Sequence, residues 1–271
     1  MTWMRSKQCW PMYLTTGKAV KRGQQCCPQI TPGKAVAALL QQISRLREQR
    51  QQQGDQQQRP AQDQRPLPGS RYPLSLAQRR LWMLSELGSE ASAAYNIVSA
   101  FCFDKSLAPE RLQRAWRSVL ANHEVLRSSF GQHDGKLYQV PRDADQWCLQ
   151  QQTLIPDTDV ETQLVALASA EAGRAFDLHR DWLLRVIYCV ADTGQAGLVV
   201  VIHHSVCDGL SITSMVAELA QHYAADGPAA GDLVTSTALQ YRDFVDYEAR
   251  ADTGTARAYW KNIFASAPES L

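Results

Sequence analysis

The sequence predicts an α+β fold in which helices pack on a layered β-sheet. Between Ser75 and Ala224, stretches with the apolar spacing of helices take turns with short stretches that have the composition of strands. The stretch LVVVI, at residues 198–202, is apolar at every position, which indicates a strand that is covered on both faces. A sheet with helices packed against it accounts for both observations.

The predicted elements follow one another in a regular order. Helices are predicted at SLAQRRLWMLSEL, with Ser75 as N-cap, at PERLQRAWRSVLANH, opened by Pro109, at VETQLVALASAEAGRAF and at LSITSMVAELAQHYA. Strands are predicted at YNIVSAFCF, KLYQV, WCLQQQTL, LLRVIYCVA and GLVVVIHH. Two further helices, ALQYRDFVDYEAR and TARAYWKNIFAS, follow without a closing strand.

The composition excludes several classes of protein. The 271 residues carry a formal net charge of +1, so no strong attraction to nucleic acid or to a membrane surface is expected. No apolar stretch approaches the roughly 20 residues of a spanning helix, and the N-terminal residues lack the apolar run of a secretory signal. The 7 cysteines are scattered without a CxxC pair, which favours reduced thiols. We therefore expect a cytoplasmic protein with no nucleic-acid and no membrane partner.

The chain is predicted to divide into four parts. Every charged side chain from Arg5 to Arg47 is basic, so residues 1–48 form a basic leader, in which TPGKAVAALLQQISRL predicts an amphipathic helix. Residues 49–71 are rich in Gln and Pro and too poor in apolar side chains to build a core, which is typical of a linker. Residues 72–237 form the compact domain, and residues 238–271 hold the last two helices.

The motif HHSVCDG, at residues 203–209, stands at the end of the buried strand. Successive side chains of a strand point to opposite faces, so His203 and His204 cannot face the same cavity, and one is predicted to be chemical and the other structural. Partial burial disfavours the imidazolium, which leaves a ring nitrogen able to accept a proton. Asp208 and Gly209 lead into the next helix, whose first amides can hold an anion or a polar ligand.

Other interpretations of this motif are weaker. A histidine at a strand end is often a hydrogen-bonded structural residue, and a strand, an Asp-Gly turn and a helix form a common arrangement. A metal site is disfavoured because the two histidines point apart and make poor joint ligands. A serine triad is disfavoured because the sequence has no GxSxG elbow around Ser205. No metal is therefore predicted.

Several segments together carry a family resemblance. HHSVCDG resembles the HHxxxDG of the condensation domains of nonribosomal peptide synthetases, which are relatives of chloramphenicol acetyltransferase. In chain order, SLAQRRLWML is similar to SxAQxRLWxL, NHEVLRSSF to RHExLRTxF, FDLHRDWLLRV to FDLxxGPLLRV, YRDFVDY to YxDYAxW and YWKNIFASAPESL to YWxxxLAGAPxxL. The resemblance covers Tyr72 to Leu271. Departures from the pattern include Asn122, Asp181, Trp182, Phe244 and Tyr247.

The resemblance implies a fold and a reaction. The fold is that of chloramphenicol acetyltransferase, with two similar lobes. This chain would hold the first lobe and, at residues 238–271, only the opening helices of the second, with the second lobe largely missing. The reaction is amide formation between a carrier-bound acyl or peptidyl donor and an aminoacyl acceptor. Both substrates are carried on the 4′-phosphopantetheine of carrier protein domains, and the domain itself binds no cofactor. The basic leader is expected either to be a solvated tail or to dock, through its helix, onto an upstream synthase subunit.

The resemblance also assigns roles to residues. His204 would accept or orient the amine proton, as general base or as hydrogen-bond partner, and Gly209 would offer its amide to the carbonyl or the pantetheine arm. Asp208 would brace the motif by an ion pair, for which we expect Arg127 as the partner, and His203 would support the strand. The catalytic assignments are therefore His204, Asp208 and Gly209, with His203 and Arg127 as structural support.

Two other functions are kept as alternatives: a coenzyme A-dependent acyltransferase of the same superfamily, and a non-catalytic lobe that binds carrier or docking partners. Epimerisation domains share the two histidines of the motif, so the sequence of this lobe does not exclude an epimerisation function. The donor and acceptor are not predictable from the sequence.

Without a second lobe the chain alone is expected to be inactive and to self-associate, because five apolar side chains would lose part of their cover. These are Val245, Tyr259, Trp260, Ile263 and Phe264.

Overall fold

The structure is a computed structural model that describes residues 70–225 and 239–265, together with one backbone strand at residues 12–14. The leader helix and nearly all of the predicted linker lie outside the described residues, so the boundaries of these two parts stay predictions. None of the helices in the described part of the chain is long and apolar enough to cross a membrane.

The described residues form helices and strands in mixed order. The strands are β1 (Met12–Leu14), β2 (Tyr72–Pro73), β3 (Asn96–Phe103), β4 (Ser128–His133), β5 (Lys136–Pro141), β6 (Gln150–Thr153), β7 (Leu184–Val190) and β8 (Ala196–His203). The helices are α1 (Leu76–Ser85), α2 (Ser89–Ala93), α3 (Pro109–Asn122), α4 (Val160–Ala172), α5 (Gly209–Ala224), α6 (Tyr241–Arg250) and α7 (Gly254–Ile263). Short 3-10 turns lie at Glu124–Arg127 and Ala144–Gln146.

The strands form two sheets. The larger sheet has the order β1-β3-β8-β7-β6, in which β8 pairs antiparallel with both β3 and β7 while β6 runs parallel to β7. The smaller sheet has the order β2-β5-β4 and is antiparallel. The prediction of an α+β fold with a layered sheet is therefore confirmed.

The strand that carries the histidine motif lies at the centre of the larger sheet. Every residue of β8 is buried, as the continuous apolar run predicts. Helix α4 packs on β3 and β8. A Cβ built on Gly197 would lie 2.3 Å from Cδ1 and 2.5 Å from Cδ2 of the buried Leu164, so the helix approaches the sheet closely at this glycine.

We expect Gly197→Ala to destabilise the fold by about 1 to 3 kcal/mol, since the new methyl group would overpack the core against Leu164. The measurement is urea unfolding of the two proteins. Gly209→Ala is the matched control, because a Cβ at Gly209 would meet nothing within 4 Å. Equal unfolding midpoints for Gly197→Ala and the unsubstituted chain would contradict the close packing of α4 on the sheet.

Some predicted boundaries and elements were wrong. Helix α4 ends at Ala172 with Gly173 as C-cap instead of running on to Phe176, and the side chain of Phe176 enters the core instead. Strand β4 has no local signal, because SSFGQH is polar and contains a glycine. The five-residue helix α2 is too short for an apolar period to be seen.

The two last helices differ in burial. Helix α6 packs against β2 and the Glu124–Arg127 turn, and its Val245 is buried, so the expectation that Val245 lies uncovered is wrong. Helix α7 buries no residue. The remaining four expected side chains are 52% to 60% exposed in the described part of the chain: Tyr259, Trp260, Ile263 and Phe264.

Candidate active site

The first histidine of the motif is a buried residue of the sheet. His203 is the last residue of β8, has no exposed surface, and its backbone N–H donates to the carbonyl of Leu183 at 3.0 Å. Burial, aided by the neighbouring His204, lowers the pKa of His203 to about 4, so its ring is neutral at physiological pH. The backbone N–H of Ser205 donates to Nδ1 at 3.2 Å, which assigns the ring proton to Nε2. His203 is therefore assigned the Nε2-protonated tautomer.

The second histidine lies in a different environment. His204 is exposed, and its backbone N–H donates to the carbonyl of Tyr95 at 2.8 Å, which continues the pairing of the strands by one residue. Its imidazole has no hydrogen-bond partner within the described ranges and lies close enough to Asp208 to affect that carboxyl group. The alternation of the strand therefore leaves one buried and one exposed ring.

The Asp-Gly pair opens helix α5. Asp208 is the N-cap, and its Oδ1 accepts the backbone N–H of Ser211 at 2.8 Å and the Ser211 hydroxyl at 2.7 Å. These hydrogen bonds lower the pKa of Asp208, so it is ionised at neutral pH. Gly209 is the first helical residue, and a Cβ built on it would meet nothing within 4 Å. The Ser211 and Leu210 amides are thus used by Asp208, which leaves the Gly209 N–H as the first-turn amide without a hydrogen-bond partner among the described residues.

The predicted ion pair between Asp208 and Arg127 is wrong. The Asp208 carboxylate is used as the cap of α5, while Arg127 Nη1 donates to the carbonyl of Arg142. The charged groups that act on the Arg127 guanidinium most strongly are Glu124 and Asp143, and burial lowers its pKa. A short aspartate that already caps a helix has little freedom to reach a second partner. Arg127 supports the Arg142 segment instead.

A buried glutamine that sequence reasoning missed holds the motif turn. Gln78 is 1% exposed, and its Nε2 donates to the carbonyl of Ser205 at 3.2 Å. Its Oε1 accepts the backbone N–H of Ser75 at 3.1 Å, and the Ser75 hydroxyl lies 2.9 Å from the hydroxyl of Tyr241. The segments SLAQRRLWML and YRDFVDY therefore meet at the turn that follows the histidines. Gln78 lies inside the first of these two segments, and its place in a family motif was the one feature of the sequence that could have marked it as a site residue.

A second polar cluster joins helices α3 and α5. The Glu218 carboxylate accepts the Asn122 amide at 2.7 Å, lies 2.7 Å from Nε2 of His123 and lies 3.4 Å from Nε2 of His222. Burial raises the pKa of Glu218, but the hydrogen bonds of His123 and Asn122 outweigh it and lower that pKa to about 2. At position 122 the family resemblance leads one to expect arginine. The asparagine found there also binds the Glu218 carboxylate, through a hydrogen bond from its side-chain amide.

A cavity of about 340 Å³ lies apart from the motif. Its walls include Trp147, Cys148, Trp182, Arg174 and Arg185, and none of the predicted site residues lines it. The functional assignment therefore depends on the end of β8 and the start of α5.

The comparisons with known proteins decide the family. The family model for the condensation domain matches residues 69–271. This chain belongs to the condensation-domain family. The predicted resemblance is confirmed, and the motifs from Ser75 to the end of the chain fall within the matched range.

The condensation-domain sequence has relatives among large synthetases. It is 32% identical over 207 residues to a linear gramicidin synthase of Brevibacillus parabrevis, covering 73% of this chain and 3% of that protein. It is 30% identical over 213 residues to the probable non-canonical nonribosomal peptide synthetase CymA of Salinispora arenicola, covering 73% of this chain and 3% of that protein. The chain thus spans a small part of the relatives it matches.

Solved condensation domains share the fold. The first condensation domain of the calcium-dependent antibiotic synthetase, in complex with substrate analogue 3a, is 24% identical with a TM-score of 0.60 over 76% of this chain and 50% of that one. The starter condensation domain of the rhizomide synthetase RzmA is 21% identical with a TM-score of 0.60 over 74% of this chain and 49% of that one. This chain therefore spans about half the length of these condensation domains.

Proposed function

We propose that this chain supplies the histidine-bearing lobe of a condensation domain that joins a carrier-bound acyl or peptidyl donor to a carrier-bound aminoacyl acceptor through an amide bond. The observation that carries the proposal is the exposed imidazole of His204 at the end of a fully buried strand, close to Asp208 at the start of α5. A ring in this position is held by the sheet and is still open to a ligand.

The reaction needs a proton acceptor and a donor for the developing oxyanion. The acceptor amine attacks the thioester carbonyl, the C–N bond forms, the C–S bond breaks and the thiolate of the carrier arm leaves. His204 accepts the proton that the amine loses, or orients the amine as its hydrogen-bond partner. In this proposal the Gly209 N–H, at the positive end of α5, donates to the carbonyl oxygen or to the pantetheine arm.

Positioning supplies much of the acceleration, because a thioester is already activated. Holding two tethered reactants in a reactive geometry contributes up to about 7 to 11 kcal/mol in favourable cases. The substrates would arrive on the 4′-phosphopantetheine arms of carrier protein domains, and we propose no cofactor for the lobe itself. Asp208 contributes by capping α5 and so fixing the direction of the Gly209 amide. His203 contributes as the buried anchor of the strand end.

The direct test supplies acylated and aminoacylated carrier proteins to a two-lobed condensation domain whose first lobe is this chain. Amide product is detected by mass spectrometry, and a parallel reaction offers the acyl donor on coenzyme A. Product from the carrier-bound donor alone supports the proposal. Equal or better use of acyl-coenzyme A would favour the acyltransferase alternative. Carrier binding without product from either donor would favour the non-catalytic lobe.

We expect Gly209→Ala to lower the rate of amide formation about tenfold to 100-fold, since a methyl group would occupy the open space beside the proposed donor amide. The free energy of unfolding should change by less than about 0.5 kcal/mol, because that methyl group contacts nothing within the lobe. Rate and urea unfolding are measured on the same preparation. An unchanged rate would remove Gly209 from the site.

A further inference from the structure

A buried arginine lies behind the histidine pair. Arg185 is the second residue of the otherwise apolar strand β7, and its side chain is only 8% exposed. Its Nε donates to the Glu171 carboxylate at 2.9 Å, and the Glu171 side chain is 12% exposed. Burying a charge is costly unless it is paired and hydrogen-bonded, so this position has a structural purpose.

The guanidinium of Arg185 holds the chain that leaves helix α4. Its Nη2 donates to the carbonyls of Arg174 at 2.7 Å and Glu171 at 3.3 Å, and its Nη1 donates to that of Ala175 at 3.4 Å. These carbonyls belong to the last turn of α4 and to the segment after it, where the helix dipole favours a cation. The planar fork of arginine meets several acceptors at once, which an ammonium cannot do in the same geometry.

Two routes lead from this segment to His203. The Arg185 Cζ lies 3.8 Å above the centroid of the Phe176 ring, and the Phe176 ring meets the His203 ring edge to face with centroids 6.1 Å apart. The Asn96 side-chain amide donates to the carbonyls of Ala172 at 3.0 Å and Arg174 at 2.9 Å. Asn96 is also the direct register partner of His203 between β3 and β8.

We propose that Arg185, paired with Glu171, is a positioning residue for the histidine motif. It fixes the segment from Ala172 to Phe176, and this segment fixes the His203 ring through Phe176 and Asn96. The backbone of His203 then sets the direction of His204. The inference deepens the proposed function, since its purpose rests on the chemistry of His204. Its test needs no amide formation, so the two can fail separately.

The test follows the His203 ring by nuclear magnetic resonance in the full chain, with labelled histidine. The chain has 6 histidines, and the His203 signals are assigned by their loss in His203→Gln. In the unsubstituted chain the ring stays in the Nε2-protonated tautomer and titrates near its lowered pKa of about 4. In Arg185→Met and in Arg185→Lys, the loosened segment lets water reach the ring, and the pKa of His203 rises by about one unit or more.

The controls separate positioning from charge and from general loosening. Arg111→Met is the matched control for Arg185→Met. Arg111 also caps a helix end, because it donates to the carbonyls of Tyr223 and Ala224. It also stacks on an aromatic ring, with its Cζ 4.6 Å from the centroid of the Tyr223 ring. It should lower the unfolding midpoint without changing the His203 titration. Phe176→Leu should reproduce the His203 change with Arg185 in place, so the test survives if the Arg185 variants do not fold.

Three results would overturn the inference. The first is an unchanged tautomer and titration of His203 in folded Arg185→Lys and Phe176→Leu. The second is a full return of the unsubstituted behaviour in Arg185→Lys while Arg185→Met differs, because charge alone would then explain the effect. The third is an equal shift in Arg111→Met, which would reflect a general loss of packing.

Discussion

Replacing His204 by alanine is expected to lower amide formation by about 100-fold to 10,000-fold, the range in which general acid or base groups contribute. The fold should remain intact, because the His204 side chain is exposed and has no hydrogen-bond partner among the described residues. His203→Ala should show the opposite pattern. Its ring is fully buried between Tyr95 and Phe176, so its loss leaves a cavity that costs about 2 to 5 kcal/mol.

The measurement combines product formation by mass spectrometry with the melting temperature of each variant, in the same two-lobed domain. His133→Ala is the matched control, because His133 is also an exposed histidine at the end of a strand, β4. It should change neither quantity. Full activity of His204→Ala, together with a stable but inactive His203→Ala, would exchange the two assignments.

The centre of the fold was predictable because its signals are local. The apolar run before the histidines predicts a covered strand, and β8 is buried throughout. The alternation of a strand predicts that adjacent histidines meet different environments, and His203 is buried while His204 is exposed. The Asp-Gly pair predicts a helix start, and Asp208 caps α5.

The parts that could not be predicted depend on contacts distant in sequence. The partner of Asp208 is Ser211, three residues away, and no pattern shows that this bond excludes Arg127. Val245 is covered because α6 packs on β2 and the Glu124–Arg127 turn, more than 100 positions earlier in the chain. A buried Arg185 in an apolar strand goes against the usual exposure of arginine. Its carbonyl acceptors appear only where α4 ends.

Helix α5 is held at its first residue by the Asp208 cap and near its C-terminal end by the polar cluster around Glu218. Glu218 and His222 lie near the C-terminal end of α5, and Asn122 and His123 lie at the end of α3. Asp208 and Gly209 stand at the other end of the same rigid helix. Anchoring α5 at both ends fixes where its first amides point, so the cluster supports the site without contacting a substrate.

The cluster makes stability depend on pH in the acid range. The pKa of Glu218 is about 2 in the fold and 4.5 in its ordinary state, so the unfolded chain binds the proton more readily. The stabilisation is therefore fully present above pH 4.5 and is lost as the pH falls toward 2. Each unit of pKa corresponds to about 1.4 kcal/mol, and because the Glu218 side chain is 24% exposed, solvent screening reduces the full value to on the order of 2 to 3 kcal/mol.

Glu218→Gln is expected to remove this dependence. The glutamine keeps the size of the side chain but has no charge to lose, so the variant should be about 2 to 3 kcal/mol less stable near neutral pH and should converge with the unsubstituted chain near pH 2. Urea unfolding at a series of pH values measures the difference. Glu110→Gln, at an exposed position in the first turn of α3, is the control and should keep the original pH profile. Parallel profiles for Glu218→Gln and the unsubstituted chain would show that the carboxylate is not held by His123 and Asn122 in the way the geometry indicates, and α5 would then need another anchor.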